Sequence, residues 1–179
     1  MDIYKQNFTQ LEQAIFSLLC VKAGEKFSQR DIAKFLNVSP TAVANSLKKL
    51  KENNLIKIEK TKTINFISLN RDNQQAIERK RVENLSMLYK SHLNMFLEES
   101  FPGSTIILFG SYSYGYDTSN SDIDIAIIGS KEKIIDLEKF EKMLEREINI
   151  NFYDSLKNIH KELRENICRG IVLFGGIEL

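Results

Sequence analysis

A chain of 179 residues holds one ordinary domain or two small ones, which excludes a large multidomain enzyme. Hydrophobic residues at 42% and charged residues at 27% give an ordinary globular balance and exclude bulk disorder. The net charge of +1 conceals a polarity: residues 1–70 hold 11 Lys and Arg against 6 Asp and Glu, the remainder 14 against 18, so a basic front half suited to a polyanion precedes an acidic back half. No apolar run approaches the roughly 20 residues of a membrane span, and Met1 to Gln10 lack the basic-then-apolar layout of a signal peptide. A soluble, cytoplasmic protein without a membrane partner is expected. Cys20 and Cys168 lack zinc or disulfide spacing and are expected to be reduced and buried; His92 and His160 have no partner pattern and are expected to be structural or superficial.

In chain order, Phe8 to Val21 carries Leu11, Ala14, Ile15, Leu18 and Leu19 at helical spacing, ended by Gly24. Ser28 with Asp31 forms the capping signature of a short helix, with Ile32, Ala33, Phe35 and Leu36 as its apolar stripe. After an Asn37-Val38 turn, Ser39 caps a third helix with Pro40 at its first position; Val43, Leu47 and Leu50 face inward, and Thr41, Asn45, Lys48 and Lys49 face out. Leu55 to Lys60 and Ile64 to Leu69 then alternate as two strands around the basic tip Thr61-Lys62-Thr63. This order resembles a winged helix-turn-helix over Phe8 to Asn70. The resemblance implies binding of double-stranded DNA: a recognition helix from Pro40 to Glu52 in the major groove, Thr41 and Asn45 at base edges, Lys48 and Lys49 at the backbone, and Lys60 and Lys62 of the wing near phosphates. A protein-protein adaptor is the alternative.

From Ala76, Val82, Leu85, Tyr89, Leu93 and Phe96 recur at helical spacing until Phe101-Pro102-Gly103, which predicts one long connector helix. It serves either as a spacer or as the seam of a homodimer.

Thr105 to Phe109 is an apolar run of strand length, followed at once by Gly110-Ser111 and a polar, turn-rich segment, Tyr112 to Asn120. In the next strand, Ser121 to Ile128, alternation sends Ile123, Ile125 and Ile127 to the core and holds Asp122 and Asp124 side by side on the other face. Two adjacent carboxylates call for a cation, and Mg²⁺ suits them best. Glycine lets backbone approach closely, and amides opening a short following helix can hold phosphate oxygens beside the Ser111 hydroxyl.

Gly110-Ser111, ten residues, then Asp122-Ile123-Asp124 in an apolar strand resembles the signature of the DNA polymerase β nucleotidyltransferase superfamily, especially its minimal members. The resemblance covers Thr105 to the C-terminus. It implies phosphate binding by Gly110 and Ser111 and two Mg²⁺ (or Mn²⁺) ions on Asp122 and Asp124. The implied reaction passes a nucleoside monophosphate from a nucleoside triphosphate to an acceptor and releases pyrophosphate. The predicted fold class is α+β: a winged helix-turn-helix (1–70), a connector helix (71–103), and a small mixed sheet flanked by helices (104–179). Its later elements are a helix from Lys131 to Arg146, a strand from Glu147 to Tyr153, a helix from Ser155 to Ile167 and a strand from Gly170 to Phe174.

A complete site of this family carries a third carboxylate on the next strand. That strand reads Glu147-Ile148-Asn149-Ile150-Asn151-Phe152, and the acid position falls on Asn149, an amide that cannot act as a base near neutrality; Glu147 shares the face two residues earlier. Tyr112 and Tyr114 stand where many relatives place a basic residue; they either stack on a nucleobase or pack over the turn. No Gly-x-x-x-x-Gly-Lys-Ser/Thr is present, which argues against a P-loop enzyme. Two functions follow: a nucleotidyltransferase tethered to DNA, or a DNA-binding regulator whose transferase domain has lost chemistry and senses nucleotide or docks a partner. Minimal members often pair with a helical toxin; no Arg is followed by His at the spacing of that partner's ribonuclease motif, so a toxin-like partner would be a separate chain.

Overall fold

The structure is a computed structural model that describes residues 8–177. Contacts along the chain define two units, the first ending at Lys80 and the second beginning at Arg81.

In the first unit, α1 (Gln10–Val21) opens on a reciprocal cap: the Glu12 amide donates to Thr9 Oγ1 and Glu12 Oε2 accepts from the Thr9 amide at 2.7 Å. The same device, Ser28 with Asp31, opens α2 (Gln29–Phe35), and Ser39 with Pro40 opens α3 (Pro40–Glu52). Each such cap is worth about 1 kcal/mol. Ile15, Leu19, Cys20, Ile32, Val43, Leu47 and Leu50 pack the core that these helices enclose. The hairpin of β1 (Ile56–Lys60) and β2 (Asn65–Leu69) closes it, and Phe27 adds an antiparallel bridge to Ile67. Phe35, expected inside, is 57% exposed at the end of α2 and meets Phe27 edge-on.

The single connector helix divides into α4 (Gln74–Lys90) and α5 (Leu93–Ser100). The buried Ser91 hydroxyl donates to the Leu88 carbonyl and accepts from the Leu93 amide, and His92 turns left-handed at φ 62°. A serine bonding to nearby backbone competes with helix continuation. The periodic Val82 and Tyr89 are exposed, while Leu88, Leu93 and Leu97 fill the core.

The second unit is a four-stranded sheet in the order β5-β4-β3-β6. Its elements are β3 (Thr105–Phe109), α6 (Gly110–Tyr114), β4 (Ile123–Ile128), α7 (Glu138–Leu144), β5 (Ile148–Tyr153), a 3-10 turn at Leu156–Asn158, α8 (Lys161–Cys168) and β6 (Ile171–Phe174). β3 is antiparallel to β4 and β6, while β4 and β5 are parallel and joined across α7. One face packs Ile106, Leu108, Ile123, Ile125 and Ile127 on residues of α5 and α7; the other packs Ile107, Phe109 and Ala126 on Leu156, Ile159 and Ile167. Helix α7 starts at Glu138, not Lys131: its N-cap residue Leu137 makes no side-chain cap, Asp136 Oδ1 accepts the Glu138 amide in the turn before it, and Ile134 stays 97% exposed. The expected helix from Ser155 is broken by the extended Ile159, which divides the 3-10 turn from α8. Cys20 is buried as expected, whereas Cys168, on the last turn of α8, is exposed. No helix among the described residues is long and apolar enough to cross a membrane.

Candidate functional site

The site forms where β3 ends. Phe109, the last residue of β3, pairs with Asp124, the second of β4, so the turn into α6 lies against the Asp124 side chain. Gly110 has φ 72°, and a Cβ built there would stand 2.4 Å from Asp124 Oδ2. Positive φ and close approach together require glycine. The Ser113 hydroxyl donates to the Gly110 carbonyl at 2.8 Å, and the Tyr116 amide to the Ser111 carbonyl at 3.0 Å, which hold the short helix to its own turn.

Asp124 pairs in register with Asn149 of β5, and Asn149 Nδ2 donates to Asp122 Oδ2 at 3.0 Å. The structure thus brings Gly110, Asp122, Asp124 and Asn149 together, with Ser111 next along the turn. Glu147 meets β4 through its backbone, accepting the Ile123 amide, while its side chain lines an open cleft of about 630 Å³ with Asp122, Ser121 and Glu141. Tyr112 is buried and its hydroxyl donates to the Asn84 carbonyl; the Tyr114 hydroxyl donates to Asn166. Tyr112 is thereby fixed to α4 and Tyr114 to α8.

Burial raises the Asp124 pKa, the neighbouring Asp122 charge adds to the rise, and the Asn149 amide opposes it. A carboxyl whose folded pKa is raised costs stability once pH passes its unfolded value, and the full penalty is present above the folded one. Asp124→Asn is therefore expected to raise the melting temperature of the metal-free protein at pH 7, with the gain vanishing at pH 3. A thermal melt series over that range checks it.

Among the described residues no three His, Cys, Asp or Glu side chains converge as a metal cage. The donors at this site are the two carboxylates, hard oxygen ligands, toward which Asn149 turns its Nδ2. They fit Mg²⁺, which commonly binds through one or two carboxylates and completes its shell with water and substrate phosphates.

On α3, Thr41, Asn45 and Lys48 are exposed on one face, and Lys60 and Lys62 are exposed on the hairpin. Lys49 instead lies 3.6 Å from Glu12 Oε2 and 5.4 Å over the Phe8 ring, turned toward α1. Lys48→Ala is expected to reduce the salt slope of DNA binding by about 0.9, one phosphate contact, and Lys49→Ala to reduce it less. Gel shifts from low to moderate salt measure both.

Sequence reasoning missed the buried Asn84, Asp117 and Arg146 around this site. Nothing in their spacing marks them, since each comes from a different element.

A basic three-helix unit with a hairpin, followed by a small mixed sheet with a Gly-Ser turn over a carboxylate pair, defines a DNA-binding module joined to a nucleotidyltransferase fold. Residues 15–57 match the winged helix-turn-helix DNA-binding family, and residues 91–176 match the family described as polymerase beta, nucleotidyltransferase. The chain therefore joins a winged helix-turn-helix domain to a nucleotidyltransferase domain of the polymerase β superfamily. The second match begins at residue 91, so it takes in α5 ahead of the expected Thr105. No curated protein matches the chain significantly.

Among solved structures, the chain is similar to a double mutant of ZitR from Lactococcus lactis, with 24% identity over 56% of this chain and 67% of that one (TM-score 0.42). It is also similar to the adhesin competence repressor AdcR of Streptococcus pyogenes, with 20% identity over 55% and 71% (TM-score 0.41). A ZitR mutant in complex with DNA gives 24% identity over 54% and 64%, less than two thirds of that protein's length (TM-score 0.38).

Proposed function

We propose that the protein is a nucleotidyltransferase carrying its own DNA-binding module, with double-stranded DNA and a nucleoside triphosphate as its partners. The observation that carries this reading is the Asp124 carboxylate seated against Gly110, with Asp122 and Asn149 beside it. Gly110 and Ser111 would hold the triphosphate, and Asp122 and Asp124 would hold two Mg²⁺ or Mn²⁺ ions. When bound, the metals would neutralise the leaving pyrophosphate and lower the pKa of the acceptor hydroxyl. An acceptor oxygen forms its bond to the α-phosphorus as the bond to the bridging oxygen breaks and pyrophosphate departs. Asn149 orients Asp122 but cannot take the acceptor's proton, which passes to Glu147 or to solvent. Thr41, Asn45, Lys48, Lys60 and Lys62 would bring this chemistry to DNA.

Incubation with labelled nucleoside triphosphates, Mg²⁺ or Mn²⁺, and a lysate of the source organism tests the transfer. A labelled species lost in Asp124→Asn supports it, including one of the size of a separate toxin-like protein. No label with any of the four nucleotides removes it.

The neutral amide in register with Asp124 favours a second reading, a DNA-binding regulator whose transferase domain binds nucleotide without turnover. Under that reading nucleotide shifts DNA affinity and no labelled product forms. A homodimer would let two such modules meet two half-sites, and sedimentation on a cognate site measures it.

A further inference from the structure

Behind the carboxylate pair lies a set of buried polar side chains that the chemistry above does not use. Asn84 of α4 donates from Nδ2 to the Tyr112 carbonyl at 2.9 Å and to Asp117 Oδ1 at 2.7 Å, while the Tyr112 hydroxyl returns to the Asn84 carbonyl. Asp117 Oδ2 lies 3.6 Å from Arg146 Nη2, with both side chains at most 3% exposed. Arg146 Nη1 donates in turn to the Glu145 carbonyl at 2.8 Å.

Burying a carboxylate and a guanidinium costs several kcal/mol per ion, and well-packed apolar side chains often serve stability as well or better. The location of this pair suggests what it does instead. Asp117 stands in the loop that runs from α6 to Asp122, and the Ser121 hydroxyl tightens the end of that loop by accepting the Thr118 amide at 2.9 Å. Arg146 stands in the turn that leads through Glu147 into Asn149. The ion pair therefore ties together the two backbone segments that deliver Asp122 and Asn149, and Asn84 ties Asp117 to the Tyr112 carbonyl of α6.

We infer that Asn84, Asp117 and Arg146 are positioning residues that set the separation of Asp122, Asp124 and Asn149, and so the affinity of that group for metal and nucleotide. The inference rests on the reading that the carboxylate pair binds metal with nucleotide. The three residues act through the backbone of the α6–β4 loop and of the turn before β5, and touch neither metal nor nucleotide.

Four full-length variants test it: Asp117→Asn, Asn84→Ser, Arg146→Lys, and Phe101→Leu as a control that loosens the same domain's core at Phe152, in the second half of β5. Two quantities are read. The first is the Mn²⁺ concentration for half of the thermal shift in the presence of ATP. The second is amide exchange of residues 118–124 and 147–150 without metal. In Asp117→Asn and Asn84→Ser the Mn²⁺ midpoint should rise by about tenfold or more, the usual effect of removing a group that orients metal ligands. Exchange should accelerate in those two segments alone. Arg146→Lys, which keeps the charge, should recover most of the affinity, and Phe101→Leu should melt lower with an unchanged midpoint. If Asp117→Asn and Asn84→Ser behave like Phe101→Leu in both readouts, the side chains are merely structural and the inference falls. If the wild type gives no Mn²⁺-ATP shift, the metal reading fails separately; acceleration confined to the two segments then still supports positioning, and its absence overturns it. Should Asp117→Asn not fold, Asn84→Ser and Arg146→Lys decide by the same criteria.

Discussion

Asn149→Asp is expected to tighten metal binding and to raise nucleotidyl transfer by about 10² to 10⁴, the usual worth of general-base assistance. In the native chain this side chain donates to Asp122 Oδ2 and pairs in register with Asp124. An aspartate there gives up the donor and adds a third negative charge. Hydrogen bonds to charged groups contribute about 1.5–3 kcal/mol, so the metal-free variant should be less stable by up to that amount, less for the exposure of this position. Metal should reverse the deficit. A variant less stable alone but more strongly stabilised by Mg²⁺ with nucleotide is the expected signature in paired thermal melts and transfer assays. If instead it changes neither property while Glu147→Gln abolishes transfer, the working acid is Glu147 on the wall of the adjoining cleft.

Gly110→Ala should damage the site more than any other single methyl. A non-glycine residue in the left-handed region costs about 1–2 kcal/mol, and the new Cβ would also meet Asp124 Oδ2 at 2.4 Å, so the carboxylate must rotate away. Loss of the Mn²⁺-ATP thermal shift should accompany the lowered stability. In an Asp124→Ala background the clash is gone and only the backbone strain remains, so denaturant melts of the double-mutant cycle should show a clear coupling between the two positions. Additive effects would mean that the turn and the carboxylate do not press on one another.

Much of the fold was legible because its signals are local. Ser28 with Asp31 and Ser39 with Pro40 announce helices through the hydrogen bonds they make within one turn. The period of two in Asp122 to Ile127 reports a strand with one apolar face, and the Gly-Ser turn follows its strand without a spacer. That Asp122 and Asp124 share a side follows from the same period, whereas the contact of Asp124 with Gly110 depends on how β3 and β4 pair.

What was not legible depends on partners far along the chain or on backbone states that residue types do not announce. The break after Lys90 is made by a serine hydroxyl and a left-handed histidine, neither of which looks like a helix stop. The late start of α7 coincides with a turn in which Asp136 Oδ1 accepts the Glu138 amide, against a helical pattern in Lys131 to Leu137. Lys49 has the spacing of an outward residue, yet Glu12 and Phe8 hold it toward α1. The Asp117 and Arg146 pair joins segments 29 residues apart, a separation no periodicity carries.

Helix α4 belongs to two cores at once. Ala76, in its first turn, is part of the apolar cluster of the DNA-binding half, and Leu88, in its last, is part of the cluster of the transferase half. A gene fusion made in the polar stretch after Asn70 would leave the first half without Ala76 and Ile77, both buried, and would leave the second with a surplus strip of apolar surface at its start. Such a recombinant should be poorly soluble in both its parts. The two halves can therefore be inherited as separate modules only if the helix is duplicated or cut within its own length, a constraint that favours their passing together from one descendant to the next.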